Sequence, residues 1–390
     1  MLPLSGIKVV DLTRVVAGPT CTLNLAQMGA EVIKVEATGK GDDTRSTPPF
    51  INGESTWFML LNCNKKSITL DLKSPQGQEV LWKLIDQADV FVENFRPGVA
   101  NKLGFSYKAL SARNPRIIYC SVSGYGSKDR TGSYDPIIQG QSGFMSVTGE
   151  PDGVPMKVAV PISDLVSALY AVQGVLYSII QREKTGRGQY VDISLLNSMV
   201  SLLHLPGSKY LGTGENPKRL GNAHPSFAPY KLFNSADGYI NIACGNDSLF
   251  YCLCDALGLS ELKTDPRFMK NKDRVASYRD EMNAILEPVF AQKTTAEWCE
   301  LLTKAGIPNG RVRTTKDVFT DPVLLESGVI QEVEHTKAGK LKVLANPVIM
   351  SETTVEYRPA PELGANTREV LAGLGYSEEE IETMKAAGAI

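Results

Sequence analysis

The sequence predicts an α/β protein in which helices cover a parallel β-sheet. Three segments at the start form a βαβ unit: the apolar run Ile7–Leu12, the helical pattern Thr20–Met28 and the second apolar run Glu31–Val35. Gly29 stands where a glycine commonly ends a helix. Strands that alternate with helices join in parallel and are buried on both faces, and continuous apolar runs fit such strands.

The same alternation continues through the first half of the chain. Short apolar runs predict further strands at Ser67–Leu72, Val90–Val92, Ile117–Val122 and Tyr190–Ile193. Ser74-Pro75 is a helix start signal, and apolar residues follow it on one helical face. Longer helical patterns cover Leu165 to Lys184 and Leu195 to His204.

Length and composition predict more than one domain. At about 150 residues per domain, 390 residues suggest two or three domains. We expect a large domain at 1–206, a Gly/Pro-rich linker at 207–225, and a smaller domain at 226–325 that combines a hairpin with helices. Residues 326–390 are then a C-terminal segment that returns to the large domain.

Charge and cysteine content exclude several classes of protein. The formal net charge is −2, which disfavours nucleic acid and anionic membranes as partners. We see neither a signal peptide nor a long apolar span, and expect a cytoplasmic protein. The seven cysteines contain no CxxC pair, so neither a disulfide framework nor a structural metal site is expected. The only histidines are His204, His224 and His335, which limits mechanisms that need a histidine base.

Eleven short motifs follow one another along the chain in the order of one known family. They include LTRVVAGP (12–19), GAEVIKVE (29–36), NKKSITLDLK (64–73), VENFRPG (92–98), YDPIIQGQSG (134–143), PISDLVSALYAVQGVL (161–176) and HPSFAPY (224–230). The sequence thereby resembles the class III CoA-transferases, and within them the enzymes that act on succinyl-CoA and dicarboxylates. The resemblance runs nearly end to end.

The resemblance implies a fold, a reaction and a nucleophile. The implied fold is a Rossmann-like large domain with a smaller α+β domain, in two chains interlocked as a homodimer. The implied reaction moves CoA from an acyl-CoA to a small carboxylic acid through covalent intermediates on Asp164, with the CoA thioester as a substrate and no resident cofactor or metal. The residues alone also allow Asp164 to be only a helix cap. We expect the helix dipole to keep its carboxylate ionised.

The resemblance also implies a set of CoA contacts. Family positions that contact CoA correspond to Val16, Ala17, Ala37, Leu70, Asp71, Leu72, Lys73, Asn94, Phe95, Arg96, Lys102, Gly132, Ser133, Tyr134 and Asp135. Two of them depart from the formyl-CoA enzyme, because Val16 replaces a Gln and Ala37 replaces an Arg. The glycine-rich acceptor loop of that enzyme has no counterpart here, which argues against a formyl/oxalate substrate pair. Gly140–Gly143 is a second candidate for the loop that binds the developing oxyanion.

The sequence leaves two other functions open. An α-methylacyl-CoA racemase of the same family carries His before the Asp at the position of Tyr134-Asp135, and it needs two proton-transfer groups. The Tyr in this chain disfavours racemisation. A non-catalytic CoA-binding subunit is the other alternative, which the presence of Asp164 disfavours. A nicotinamide-dependent enzyme is rejected, since no G-x-G-x-x-G motif follows the first strand. The sequence does not identify the CoA donor or the acceptor acid.

Overall fold

A computed structural model describes all residues, Met1–Ile390. In chain order its strands are β1 (Lys8–Asp11), β2 (Glu31–Glu36), β3 (Phe50–Ile51), β4 (Glu54–Ser55), β5 (Lys66–Thr69), β6 (Val90–Glu93), β7 (Ile118–Ser123), β8 (Tyr190–Ser194), β9 (Tyr230–Asn234), β10 (Tyr239–Ala243), β11 (Asn309–Arg311), β12 (Ile330–His335) and β13 (Gly339–Leu344).

Its α-helices are α1 (Ala17–Gln27), α2 (Thr56–Leu61), α3 (Pro75–Gln87), α4 (Val99–Lys102), α5 (Tyr107–Arg113), α6 (Asp135–Gln141), α7 (Ile162–Thr185), α8 (Leu195–Ser201), α9 (His204–Thr213), α10 (Asp247–Leu257), α11 (Asn271–Ala276), α12 (Arg279–Phe290), α13 (Thr295–Lys304), α14 (Thr315–Phe319), α15 (Pro322–Glu326), α16 (Thr367–Gly373) and α17 (Glu378–Ala386).

The predicted parallel sheet is confirmed. Six strands pair in the order β5-β2-β1-β6-β7-β8, and every neighbouring pair is parallel. The chain runs from β1 outward to β2 and β5, then returns to β6 on the other side of β1. The order therefore reverses between β1 and β6. Ligands of open parallel sheets bind at such a reversal, outside the carboxyl ends of the strands.

Helices cover both faces of this sheet, as the apolar runs predict. Val10 and Phe91 contribute to the core under α3, α5, α16 and α17, while Val9, Val90 and Val92 contribute to the core under α1, α7 and α8. Successive residues of a strand point to opposite faces. All four residues of β6 are buried, because this strand lies inside the sheet and has a core on each side.

The chain divides into two compact units. The first comprises Met1–Phe144, Lys157–Ser208 and Pro322–Ile390, and contains the six-stranded sheet. The second comprises Met145–Met156 and Lys209–Asp321. Its antiparallel sheet, in the order β11-β10-β9, packs with α10, α12 and α13 around Phe233, Phe250 and Trp298. Most of the stretch predicted as a linker therefore lies in the second unit, and α9 occupies its beginning.

Helix α7 is long and apolar enough to meet a length-and-composition criterion for a membrane span. In the structure one face of this helix is part of a core. Ala168, Ala171 and Val175 are fully buried and belong to the core that α1 and the sheet share. Helix α7 is therefore packed as a core helix. Core helices can meet the same length-and-composition criterion as membrane spans.

Candidate active site

A small cleft lies at the carboxyl ends of the central strands. The cleft has a volume of about 190 Å³. It is enclosed by Asp164, the first residue of α8, the segment before α6, and the residues at or just after the ends of β1, β6 and β7. We call it the Asp164 cleft; it is lined by Arg14, Val15, Val16, Ala17, Asn94, Phe95, Arg96, Pro97, Val122, Ser123, Gly124, Thr131, Gly132, Ser133, Tyr134, Asp164 and Leu195. It therefore occupies the reversal between β1 and β6, where a parallel sheet binds its ligand.

Asp164 lies in the first turn of α7, with its carboxylate free. The helix begins at Ile162, three residues before the predicted start, so Asp164 does not cap it. No protein group donates a hydrogen bond to its carboxylate. Burial, and then the negative charge of Asp135, raise the pKa of Asp164 to about 7. The expectation that the helix dipole keeps this group ionised left out these two effects, both of which oppose ionisation.

Asp135, which is remote along the chain, forms hydrogen bonds with the beginning of α7. Its Oδ1 accepts hydrogen bonds from the Ser163 backbone N–H at 3.0 Å and from the Ser163 hydroxyl at 2.8 Å. Its Oδ2 accepts one from Gln139 Nε2 at 2.8 Å, and Gln139 Oε1 accepts the Val158 amide at 2.8 Å. A side chain on α6 thus does for α7 what a local capping residue would do. The residue next to the one it caps is Asp164.

Backbone amides without an acceptor lie at the start of α1, on residues that line the cleft. Val16 and Ala17 are 3% and 4% exposed and both line the Asp164 cleft. The N–H groups of Val16, Ala17 and Gly18 have no acceptor within the protein, since α1 has no side-chain cap and no acidic residue in its first turn. Buried amides almost always find a partner. These amides are therefore donors available to a bound group beside Asp164.

A second, more apolar cleft adjoins the first. It has a volume of about 320 Å³ and shares Arg14 and Phe95 with the Asp164 cleft. We call it the Leu72 cleft; it is lined by Leu12, Thr13, Arg14, Lys34, Val35, Glu36, Ala37, Thr38, Gly41, Asp42, Leu70, Asp71, Leu72, Lys73, Phe95, Val99 and Leu103. Apolar walls with a few charged groups suit a flat heterocycle that carries phosphates.

The chain matches the CoA-transferase family III over residues 4–367. It belongs to this family.

Its relatives extend over the whole length. Succinyl-CoA:glutarate CoA-transferase from Mus musculus is 41% identical over 396 residues, which cover 100% of this chain and 91% of the mouse protein. Succinate–glutarate CoA-transferase from Agrobacterium fabrum is 39% identical and covers 95% of this chain and 96% of its own length. A solved CAIB/BAIF family protein from Brucella suis has a TM-score of 0.86 at 38% identity, covering 96% of this chain and 99% of that one.

Most residues that the resemblance assigned to CoA lie on the two clefts of this class III CoA-transferase. Val16, Ala17, Asn94, Phe95, Arg96, Gly132, Ser133 and Tyr134 line the Asp164 cleft. Ala37, Leu70, Asp71, Leu72 and Lys73 line the Leu72 cleft.

Two of the assigned residues lie elsewhere. Lys102 is exposed at the end of α4 and lines neither cleft. Asp135 is buried behind the Asp164 cleft, where Ser163 and Gln139 occupy its oxygens. Direct CoA contacts by these two residues stay predictions. The Gly140–Gly143 segment also lines neither cleft, and it forms the end of α6 and the turn after it.

The structure adds site residues that sequence reasoning missed. Arg14 lines both clefts, and Ser123, Gly124 and Leu195 line the Asp164 cleft. The buried Ser123 hydroxyl has no hydrogen-bond partner. Arg14 lies inside the LTRVVAGP motif, just past the end of β1. Residues in such positions commonly line the ligand site of a parallel sheet, so the sequence could have identified Arg14 as a site residue. Ser123 follows from the same rule at the end of β7.

Proposed function

We propose that this CoA-transferase moves CoA from succinyl-CoA to a dicarboxylic acid such as glutarate, with Asp164 as the nucleophile. The observation that carries the proposal is a carboxylate without hydrogen-bond donors that faces a small cleft at the sheet reversal. The names of the full-length relatives from Mus musculus and Agrobacterium fabrum support the substrate pair. A homodimer and a cytoplasmic location stay predictions.

The proposed reaction needs no proton donor. The ionised Asp164 attacks the thioester carbonyl, the C–S bond breaks, and an acyl-aspartyl anhydride and CoA thiolate form. The thiolate attacks the aspartyl carbonyl, which releases succinate and leaves an aspartyl-CoA thioester. The acceptor carboxylate attacks this thioester, and the same two steps run in reverse. Asp164 returns as a carboxylate, and the energy of the thioester passes to the product.

Each step forms a tetrahedral oxyanion that needs donors. The free amides of Val16 and Ala17, which line the cleft, lie at the N-terminus of α1, where the backbone dipoles favour negative charge. They are the strongest candidates in the Asp164 cleft for this role. Arg96 also lines the cleft without an ion-pair partner and is available to an anionic group of the substrates.

A substrate panel tests the proposed function. The purified enzyme is incubated with succinyl-CoA and a series of C3–C6 mono- and dicarboxylic acids, and each acyl-CoA product is measured by chromatography. We expect turnover with dicarboxylates, and a hydroxylamine-sensitive CoA adduct on the protein when the acceptor is omitted. Exchange of a Cα hydrogen with solvent deuterium, without movement of CoA, would instead support a racemase. CoA binding with no turnover until a dissimilar protein is added would support a binding subunit.

The assignment of CoA contacts to both clefts leads to a separate prediction for Lys73. We expect Lys73→Ala to raise the KM for succinyl-CoA about 5-fold, because an exposed lysine that meets a phosphate contributes about 1 kcal/mol. The effect shrinks at high salt, while kcat changes little since Lys73 does not line the Asp164 cleft. Steady-state kinetics at two salt concentrations measure it. Lys342→Ala, an exposed lysine on β13, is the matched control, and an equal change in that variant would contradict the assignment.

A further inference from the structure

Four buried charged side chains lie around the loop that connects β1 to α1. Asp11 and Lys34 are fully buried, Asp42 is 1% exposed and Lys65 is 6% exposed. Lys34 Nζ is 2.8 Å from Asp42 Oδ2, and Lys65 Nζ is 3.2 Å from Asp11 Oδ2. A buried ion pair is weak evidence for stability, because removing two charges from water offsets most of their attraction. The location of this network therefore suggests a role other than stability.

Side chains of this network form hydrogen bonds with the backbone of successive loop residues. Asp11 Oδ1 accepts the Thr13 amide at 2.8 Å, and Lys34 Nζ donates to the Thr13 carbonyl at 2.7 Å. Asp42 Oδ1 accepts the Val15 amide at 3.3 Å. Between them, Asn94 accepts the Arg14 amide at 2.8 Å and donates to its carbonyl at 2.7 Å. Side chains from three other segments thus hold three successive residues.

The loop needs this support because its backbone is strained. Val15 has a φ of +68°, in the left-handed region that a β-branched residue almost never adopts. The turn at Val15 leads directly into α1. It also sets the close approach at Gly18, where a Cβ atom would lie 2.3 Å from Thr13 Cβ. The turn therefore fixes the position of Val16 and Ala17, which both line the Asp164 cleft.

We propose that Lys34 and Asp42 are positioning residues, which hold Val15 in its left-handed conformation so that the amides beside Asp164 face the reacting carbonyl. Neither residue lines the Asp164 cleft. Both border the Leu72 cleft, but neither side chain has exposed surface there, so we expect no direct contact with CoA. They act through the backbone of Thr13 and Val15. The inference rests on the proposed function, since those amides matter for the rate only if an oxyanion forms next to them.

Two substitutions test the proposal through a split between kcat and KM. We expect Lys34→Met, which leaves the Thr13 carbonyl without its donor, to lower kcat 10- to 100-fold. We expect Asp42→Asn, which keeps an acceptor for the Val15 amide, to lower kcat less than 10-fold. The KM for succinyl-CoA should change less than 3-fold in both. Asp42→Asn also serves if Lys34→Met does not fold.

A matched control separates positioning from stability. Arg182 is 2% exposed and pairs with Asp89 at 2.9 Å, at the amino end of β6 and away from both clefts. Arg182→Met should lower the melting temperature as Lys34→Met does but leave kcat within 2-fold of wild type. An equal loss of kcat in both variants at matched stability would overturn the proposal.

Relief of the strain gives a second, independent readout. Glycine adopts positive φ without cost. The double variant Lys34→Met/Val15→Gly should therefore recover at least 3-fold in kcat over Lys34→Met alone. Full activity of a folded Lys34→Met, or no recovery in the double variant, would overturn the inference while the proposed function stands. A wild-type enzyme that transfers CoA to none of the acids would refute the proposed function, and the inference with it.

Discussion

Asp164→Asn is expected to abolish CoA transfer while the protein still binds CoA. Asparagine has nearly the same shape as aspartate, but its amide does not attack a thioester. Loss of a covalent nucleophile lowers kcat by roughly 10³- to 10⁶-fold in enzymes of comparable design. CoA affinity should stay within about 3-fold, because the Leu72 cleft does not contain Asp164. Coupled product assays and calorimetric titration with CoA measure the two quantities.

The same variant should be more stable than wild type above neutral pH. The pKa of Asp164 rises from its ordinary 3.8 to about 7, so between these values the folded state binds the proton more tightly than the unfolded chain. This stability is present at low pH and is lost as the pH rises through that window. At pH 8 Asp164→Asn removes a charge whose burial costs on the order of 4 kcal/mol, and a melting temperature higher by a few degrees would show it.

A conservative control makes the loss of activity specific. Asp273→Asn changes a carboxylate on α11 that lines neither cleft, and it should leave kcat at the wild-type value. Turnover by Asp164→Asn above 1% of wild type would contradict the nucleophile assignment. So would a hydroxylamine-sensitive CoA adduct that mass spectrometry maps to another residue.

The rate of CoA transfer should rise with pH and level off above about 7, because only ionised Asp164 is nucleophilic. Below this value kcat/KM should fall tenfold per pH unit. Asp135→Asn removes the negative charge that contributes to the raised pKa of Asp164, yet its Oδ1 can still accept from Ser163. The acidic limb should therefore move to lower pH, by about one unit. At pH 5.5 the variant should retain a larger fraction of its maximal rate than wild type does.

Another buried carboxyl at the same edge of the sheet is the control for this shift. Burial raises the pKa of Glu93 as well, but Glu93 does not line the Asp164 cleft. Glu93→Gln should leave the acidic limb at its wild-type position. If the acidic limb moves in Glu93→Gln but stays in Asp135→Asn, then Glu93 and not Asp135 controls the titration that limits the rate. That result would overturn the prediction.

The strands of the parallel sheet were predictable to within three residues, but the side chain that caps α7 was not. Ile7–Leu12 and Val90–Val92 are continuous apolar runs, and the strands Lys8–Asp11 and Val90–Glu93 lie on them. These runs report burial on both faces, which is a local property of the sequence. The beginning of α7 depends instead on Asp135, which is 28 residues before Ser163 in the chain. Local capping signals do not contain such a partner.

Some site residues were likewise predictable from the sequence, and others were not. The motifs predicted Asp164 and a set of CoA contacts, and the structure places Asp164 and most of that set on the two clefts. Lys34 and Asp42 had no such signal, because a lysine in GAEVIKVE and an aspartate in GDDTR read as ordinary polar residues. Only the fold shows that the two side chains meet at 2.8 Å with no exposed surface on either side chain.

The order of strands and helices and the family were already present in the amino-acid sequence, and so was the motif on which the proposal for Asp164 rests, because all of these depend on local patterns. The tertiary structure alone decided the raised pKa of Asp164, the separation into two clefts, the different placement of Asp135 and Lys102, and the hydrogen bonds that hold the loop at Val15. Each of these depends on burial and on distances between side chains that are remote along the chain. Solvation and Coulomb energies follow distance in space, which sequence spacing does not give.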